Sequence, residues 1–216
     1  AYDSTPNATG NVNFHNNTFT DNTAASVIVS ASTENGLGGD VDINLNTFNQ
    51  NVGVLAANWS VIDVRLQNGF THGTVDITNN EITFSGTYGV ATAAYGIQLR
   101  GGVDTINITG NTIDGGSVGT NGGAPPTAGV FVATNDAGSG AIKATSVVNI
   151  SKNLINNFPI GVAVYDKVAA AFGGLTAGAS LNVNRNDLSS NSSFGIQSGP
   201  ITDSDGTCNW WGSPTG

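Results

Sequence analysis

VNFHNNTF (12–19), VDINLNTF (41–48), VDITNNEI (75–82), INITGNTI (106–113), VNISKNLI (148–155) and LNVNRNDL (181–188) are six copies of one pattern. Each reads apolar, Asn or Asp, apolar, two variable residues, Asn, one variable residue, apolar. The sixth position is Asn in every copy: Asn17, Asn46, Asn80, Asn111, Asn153 and Asn186, separated by 29, 34, 31, 42 and 33 residues. The opening alternation is strand periodicity, with residues such as Val12 and Phe14 inward and Asn13 outward. An Asn where the chain turns is expected to adopt a left-handed backbone and to bond nearby amides. Equivalent Asn residues stacked from coil to coil can also bond one another in a ladder. A weaker second row is expected at Asn22, Asn51 and Asn191.

Beyond each turn comes a second apolar run, at 27–29, 53–55, 89–90, 129–132, 161–164 and 195–196, and in some copies a third, at 61–66 and 97–100. Gly stands before most of the second runs, where a backbone bend is expected. Two or three short strands per repeat of about 30 residues describe a stacked coil, because no single coil can bury its apolar face alone. The expected fold is therefore all-β: a single-domain right-handed parallel β-helix of about six coils with a stacked Asn ladder. At about 4.8 Å per coil the rod is roughly 30 Å long. Leucine-rich repeats need a denser leucine pattern, propeller blades need four antiparallel strands, and a sandwich does not require Asn at one fixed phase. The expected division is an N-terminal segment at 1–10, the β-helix at 11–200 and a C-terminal cap segment at 201–216.

Composition agrees with a solenoid. Only 10% of the 216 residues are charged, whereas Asn supplies 28, Gly 30 and Thr 24. Good helix formers with charged outer faces are scarce, which disfavours a helical bundle. The net charge of −9 makes nucleic acid and anionic membrane poor partners. No stretch has the roughly 18 apolar residues of a membrane span. A single cysteine, Cys208, excludes an internal disulfide framework. The absence of an initiator Met and of a leader predicts a processed mature chain or an excised domain, and the Asn/Thr-rich, Lys-poor balance predicts an extracellular or cell-surface prokaryotic protein.

The six Asn-centred segments resemble the right-handed parallel β-helix repeat proteins of pectate-lyase-like topology, of bacterial or archaeal extracellular type. The terminal CNWWGSP (208–214) is similar to an Asn-Trp-Trp-Gly motif that closes such repeat regions. The resemblance covers nearly the whole chain. It implies the fold, and it implies little about activity, since lyases, hydrolases, epimerases, adhesins and non-catalytic surface domains share the repeat.

The ends and insertions have their own expectations. Trp210 and Trp211 are expected to cap the last coil with aromatic area, a sugar-stacking platform being the other reading. Nothing in 1–10 resembles a cap for the first coil, which leaves room for stacking on another subunit. The 42-residue spacing places a surface loop at 114–127, and the apolar start of 169–179 suggests a helical turn.

Candidate chemistry comes from aligning the coils. Asp42 and Asp76 share one outward position on neighbouring coils, where two carboxylates about 5 Å apart call for a cation or a shared proton. A retaining glycosidase uses such a pair, and calcium uses several such oxygens, with Asp40 as a further donor. Arg65 and Arg100 also align, with Lys143 near the same phase. The resemblance implies that a polysaccharide lyase would use an Arg or Lys base beside carboxylate-bound calcium. The plainer readings are solvated carboxylates that splay apart and a surface ion pair between Asp63 and Arg65. Asp203 and Asp205 resemble the opening of a calcium loop but lack its distal Glu, so Asx turns explain them more simply. His15 and His72 have no partners at zinc spacing, and Tyr88 and Tyr95 are candidates for a carbohydrate surface. No Ser/His/Asp grouping, phosphate loop or redox motif is present in the sequence.

The leading expectation is a non-catalytic extracellular structural, adhesive or assembly-forming surface protein, without a cofactor, whose partners are itself or surface glycans. The alternative is a carbohydrate-active enzyme, a lyase or glycoside hydrolase, using Asp42, Asp76, Arg65 and Arg100, with calcium as its candidate ion. An ice- or mineral-binding solenoid would need a flat Thr array, and the outward positions instead mix Asn and Asp.

Overall fold

A computed structural model describes residues 11–22, 25–31, 39–51, 59–67, 72–86, 93–116, 118, 125–200 and 204–212. Every regular element among them is a β-strand. The repeat splits into two strands at its Asn. Its first half forms a seven-stranded parallel sheet, running Val12–His15, Val41–Asn44, Val75–Thr78, Thr105–Thr109, Val147–Ser151, Ser180–Asn184 and Ser204–Asp205. Its second half forms a five-stranded parallel sheet of Thr18–Thr20, Thr47–Gln50, Glu81–Phe84, Thr112–Asp114 and Leu154–Asn156. The third sheet stacks Val27–Ala31, Trp59–Leu66, Ala94–Gly101, Ala128–Asp136, Ile160–Asp166 and Phe194–Gln197, again in parallel.

Five coils thus carry all three strands. In the sixth the second-sheet strand shrinks to a bridge between Leu154 and Asp187. The runs at 61–66 and 97–100, expected as an occasional third strand, pair directly with 27–31 and 128–136, so they belong to the same sheet as the second runs of the other coils. The runs at 53–55 and 89–90 lie outside the described residues.

Register holds the repeat in phase. Val12, Val41, Val75, Ile106, Val148 and Leu181 are successive partners, as are Phe14, Ile43, Ile77, Ile108, Ile150 and Val183. Column upon column, these side chains fill the interior, and Ile43, Ile77, Ile108 and Ile150 are wholly buried. Parallel pairing of like on like is what converts the sequence repeat into one continuous core.

The left-handed residue is not the conserved Asn of the pattern but the residue before it. Asn16, Leu45, Asn79, Gly110, Lys152, Arg185 and Cys208 have φ between 53° and 71°. The Asn itself turns inward and is buried at Asn46, Asn80, Asn111, Asn153 and Asn186. The seventh member of the left-handed series, Cys208, reveals a seventh, degenerate copy: SDGTCNWW (204–211), whose Ser204 and Asp205 pair with Leu181 and Asn182. The stack therefore runs into the segment expected as a cap.

Gly96 and Gly129 in the third sheet serve close approach rather than bending. A Cβ on Gly96 would lie 2.5 Å from Ile113 Cγ2, and one on Gly129 only 2.2 Å from Ile155 Cγ2. Neither has positive φ. The apolar start of 169–179 is a hairpin, not a helical turn: Ala171–Phe172 runs antiparallel to Ile160–Asp166, and Asp166 Oδ1 accepts the turn N–H groups of Val168 and Ala169. Of the loop at 114–127, residues 117 and 119–124 lie outside the described residues.

Candidate functional site

The inner Asn column is a saturated hydrogen-bond ladder. In each rung Nδ2 donates to the Oδ1 of the next Asn, at 3.0 Å from Asn17 to Asn46, Asn46 to Asn80, Asn80 to Asn111 and Asn111 to Asn153, and at 2.9 Å from Asn153 to Asn186. The same Oδ1 also accepts the backbone N–H of the preceding Asn, at 2.9–3.0 Å. The second Nδ2 hydrogen reaches back to a first-sheet carbonyl, as from Asn111 to Ile77 at 2.8 Å. Asn209 adds a seventh rung, accepting from Asn186 Nδ2 and N–H at 3.0 Å. Its signal was the degenerate copy at 204–211, hidden by a spacing of 23 residues. The second row does not stack: Asn22 bonds Ser26 Oγ, Asn51 N–H bonds Asp21, and Asn191 holds the carbonyls of Ile155 and Leu188.

Asp42 and Asp76 do pair in register, flanked by Asn13 and Asn107. Asp76 Oδ1 accepts Asn107 Nδ2 at 2.7 Å, and Asp42 Oδ2 meets His15 Nε2 at 2.9 Å. The outer row continues as amides, Asn149 to Asn107 and Asn182 to Asn149, each at 2.9 Å. Asp40 is otherwise engaged, its Oδ1 accepting the N–H of Thr74 at 2.8 Å. Asp205 Oδ1 closes an Asx turn on Thr207, and Asp203 lies outside the described residues. Among the described residues, no three His, Cys, Asp or Glu side chains converge in a way that would hold a metal ion.

Arg65 and Arg100 are partners on the third sheet, on a different face from Asp42 and Asp76. The two pairs of expected catalytic residues are therefore not brought together. Both guanidinium groups instead clasp Asp63, whose side chain is only 2% exposed. Arg65 reaches Oδ2 through Nε at 2.7 Å and Nη2 at 2.5 Å. Arg100 reaches Oδ1 through Nε at 3.1 Å and Oδ2 through Nη2 at 2.6 Å. The Asp63 carboxylate is thus the buried centre of a network, with Arg65 41% and Arg100 15% exposed, and not half of the surface pair that the two-residue spacing suggests.

Arg100 Nη1 also lies 3.6 Å from Asp136 Oδ2, which Lys167 Nζ meets at 2.9 Å. Burial works to raise the Asp136 pKa, but the Lys167 hydrogen bond and charge, the Gly138 N–H and Arg100 together hold it below the ordinary carboxylate value. Lys143 stands apart from this row: its Nζ bonds Asp104 at 2.7 Å, and the registered partner of Arg100 is Ala133. Beside the network lies a cavity of about 200 Å³ lined by Ser30, Arg65, Gln67, Arg100, Asp136 and Ser139.

Farther along the outward face of this sheet, Tyr95, Phe131, Tyr165 and Phe172 form a column with ring centroids 4.4, 5.8 and 5.4 Å apart. Tyr95 is wholly buried, which removes it from any carbohydrate surface, and Tyr88 lies outside the described residues. Among the described residues the Tyr95 and Tyr165 hydroxyls have no hydrogen-bond partner, and burial pushes both pKa values up. His72 is also buried, its Nε2 3.0 Å from the Gln67 carbonyl, and burial pulls its ring pKa down.

At the C-terminal end Trp211 packs over Gly195, where an added Cβ would meet its ring at 2.4 Å. It remains 38% exposed, and Trp210, bridged to Asp187, 48%. Comparison with known proteins finds no family model, no curated protein and no solved structure that matches the chain.

Proposed function

We propose that this chain is a non-catalytic structural or adhesive module of an extracellular or cell surface, prokaryotic in origin, with the right-handed, pectate-lyase-like form of the β-helix. The observation that carries the proposal is the clasp on Asp63. The arginines that a lyase would use as base each give two nitrogens to one buried carboxylate, and the Asp42–Asp76 pair faces away on another sheet. Guanidinium groups so held are structural elements, and freeing both would leave Asp63 buried without a counter-charge. Outward Asn, Thr and Ser provide a neutral hydrated face for surface glycans or for neighbouring subunits.

A polysaccharide panel, assayed with and without calcium, tests the proposal, and no turnover is expected. The second reading is a polysaccharide lyase or glycoside hydrolase, favoured by the cavity beside Arg65 and Arg100. Turnover abolished by Asp76→Asn or Arg100→Gln, with the fold intact by circular dichroism, would establish that reading instead.

A further inference from the structure

The two ends of the stack are unlike the middle. In the first coil Val12, Phe14 and Phe19 are only partly buried, whereas one coil on Val41 is 2% exposed and Ile43 and Phe48 are wholly buried. In the last, Phe194, Trp210 and Trp211 account for three of the five exposed large apolar side chains among the described residues. Open coil ends are strand edges ready for pairing.

Their chemistry is complementary and has a direction. In the inner ladder the earlier rung always donates to Oδ1 of the later one. The last rung, Asn209, gives its Nδ2 hydrogens to the carbonyls of Val183 and Gly206, and among the described residues its N–H meets no later Oδ1. Asn17, the first rung, has an Oδ1 with no earlier donor among the described residues. In the outer row, over the three links from Asp76 to Asn182, the donation runs the other way, from the later coil to the earlier, as from Asn107 to Asp76 at 2.7 Å. That row begins at Asn13, a donor, and ends at Asp205, whose Oδ1 is held by Thr207 and whose Oδ2 is left for a further donor. The aromatic positions also match. Phe19 stacks on Phe48 at 4.9 Å and 7° in the column that ends, by the repeat phase, at Trp211. The Phe14 column ends at Gly206, where an added Cβ would meet only Ile196 Cδ1, at 3.8 Å, so that a ring has room above it.

We propose that copies of this chain join head to tail, the last coil of one seated on the first coil of the next. Asn209 N–H then donates to Asn17 Oδ1 of the next copy, Asn13 of that copy donates to Asp205, and its Phe19 covers Trp211. Both hydrogen-bonded rows keep their direction across the joint, which a head-to-head contact cannot achieve. The joint is heterologous and does not close, so it extends to filaments. The inference rests on the scaffold reading and names its partner.

Sedimentation velocity and negative-stain microscopy of the full chain over a concentration series test it. The weight-average mass is expected to rise past that of a dimer, with rods of constant width. Ser204→Lys puts an ammonium, solvent-exposed in the free chain, beneath Val12 of the next copy, and Val12→Lys blocks the opposite end. Each variant alone is expected to remain monomeric, and an equimolar mixture to double in mass and stop there, because one intact head and one intact tail remain. Should Val12→Lys lose the wild-type circular dichroism, Asn13→Asp, outward and opposite Asp205, takes its place. Wild-type chain at monomer mass throughout the series, or a mixture that grows beyond dimers, overturns the proposal. Monomer mass without polysaccharide turnover leaves the scaffold reading standing; turnover overturns both.

Discussion

The backbone N–H and the Nδ2 of Asn80 converge on one oxygen, Asn111 Oδ1, at 2.9 and 3.0 Å. Asn111 in turn donates to Ile77 O and to Asn153 Oδ1, so its two acceptor sites and both amide hydrogens are used inside the solenoid. Only Asn has this inventory at this length, since Asp lacks the two donors and Gln adds a methylene. The Asn-rich, charge-poor composition is thus partly a consequence of closing buried corners without charge.

Asn111→Ala removes a saturated amide from a site 1% exposed and strands the Asn80 N–H and the Ile77 carbonyl. With about 1–3 kcal/mol for each buried group left unpaired, the loss is expected to be on the order of 3–5 kcal/mol. Asn17→Ala, at the exposed first rung, is expected to cost less than about 1.5 kcal/mol, because water replaces its partners. Urea unfolding of the two variants checks the contrast, and equal losses would refute a role specific to burial.

The left-handed corner makes an opposite pair of substitutions informative. Leu45 has φ of 56° and is 54% exposed, so its side chain contributes strain and little packing. Leu45→Gly is expected to stabilise by up to about 1 kcal/mol, since the left-handed conformation costs an ordinary residue roughly 1–2 kcal/mol and glycine returns part of that as chain entropy. Gly110→Ala is expected to destabilise by more than about 1 kcal/mol, because φ is 71° and the new Cβ would lie 2.6 Å from Asn79 Oδ1. Thermal melts read both signs.

These corners also mark what the sequence makes legible. The period, the inward columns and the Asn rungs are visible because parallel stacking places like on like, so each coil repeats the same constraint. The left-handed position is not, because its occupants Asn16, Leu45, Lys152 and Arg185 share no side-chain chemistry; only the backbone imposes it. Asn209 is not legible as a rung because Ser204 and Gly206 stand at the inward positions that are apolar in the other copies. The clasp on Asp63 was half legible. Spacing brings Asp63 beside Arg65, but no repeat position signals that its side chain is only 2% exposed.

Asp63→Ala leaves the Arg100 side chain, 15% exposed, without its main counter-charge, and is expected to destabilise by roughly 3–5 kcal/mol. Arg65→Gln removes a side chain that is 41% exposed and leaves Asp63 paired to Arg100, so a loss below about 1 kcal/mol is expected. Denaturant midpoints of the two single variants decide the matter. A mild Asp63→Ala would mean that the network is wet, and Arg100 would again be available to a substrate.

Tyr95 and Asp136 set the two pH limits of the third sheet. Burial raises the Tyr95 pKa above its ordinary 10.0, so the folded chain holds the phenol neutral while the unfolded chain ionises it. That stabilisation is complete below pH 10 and is lost as pH rises further. Asp136 is held below its ordinary 3.8, so its contribution is complete above that pH and is lost as pH falls through the lowered value. Stability should therefore be level between these limits as far as these two groups decide it. Tyr95→Phe removes the alkaline loss and also a buried hydroxyl that has no partner. It is expected to stabilise at neutral pH by about 1 kcal/mol, since an unsatisfied buried polar group costs roughly 1–3 kcal/mol. Denaturant unfolding at pH 7 and pH 10.5 measures both effects, and destabilisation at pH 7 would mean that the hydroxyl is hydrogen-bonded in solution.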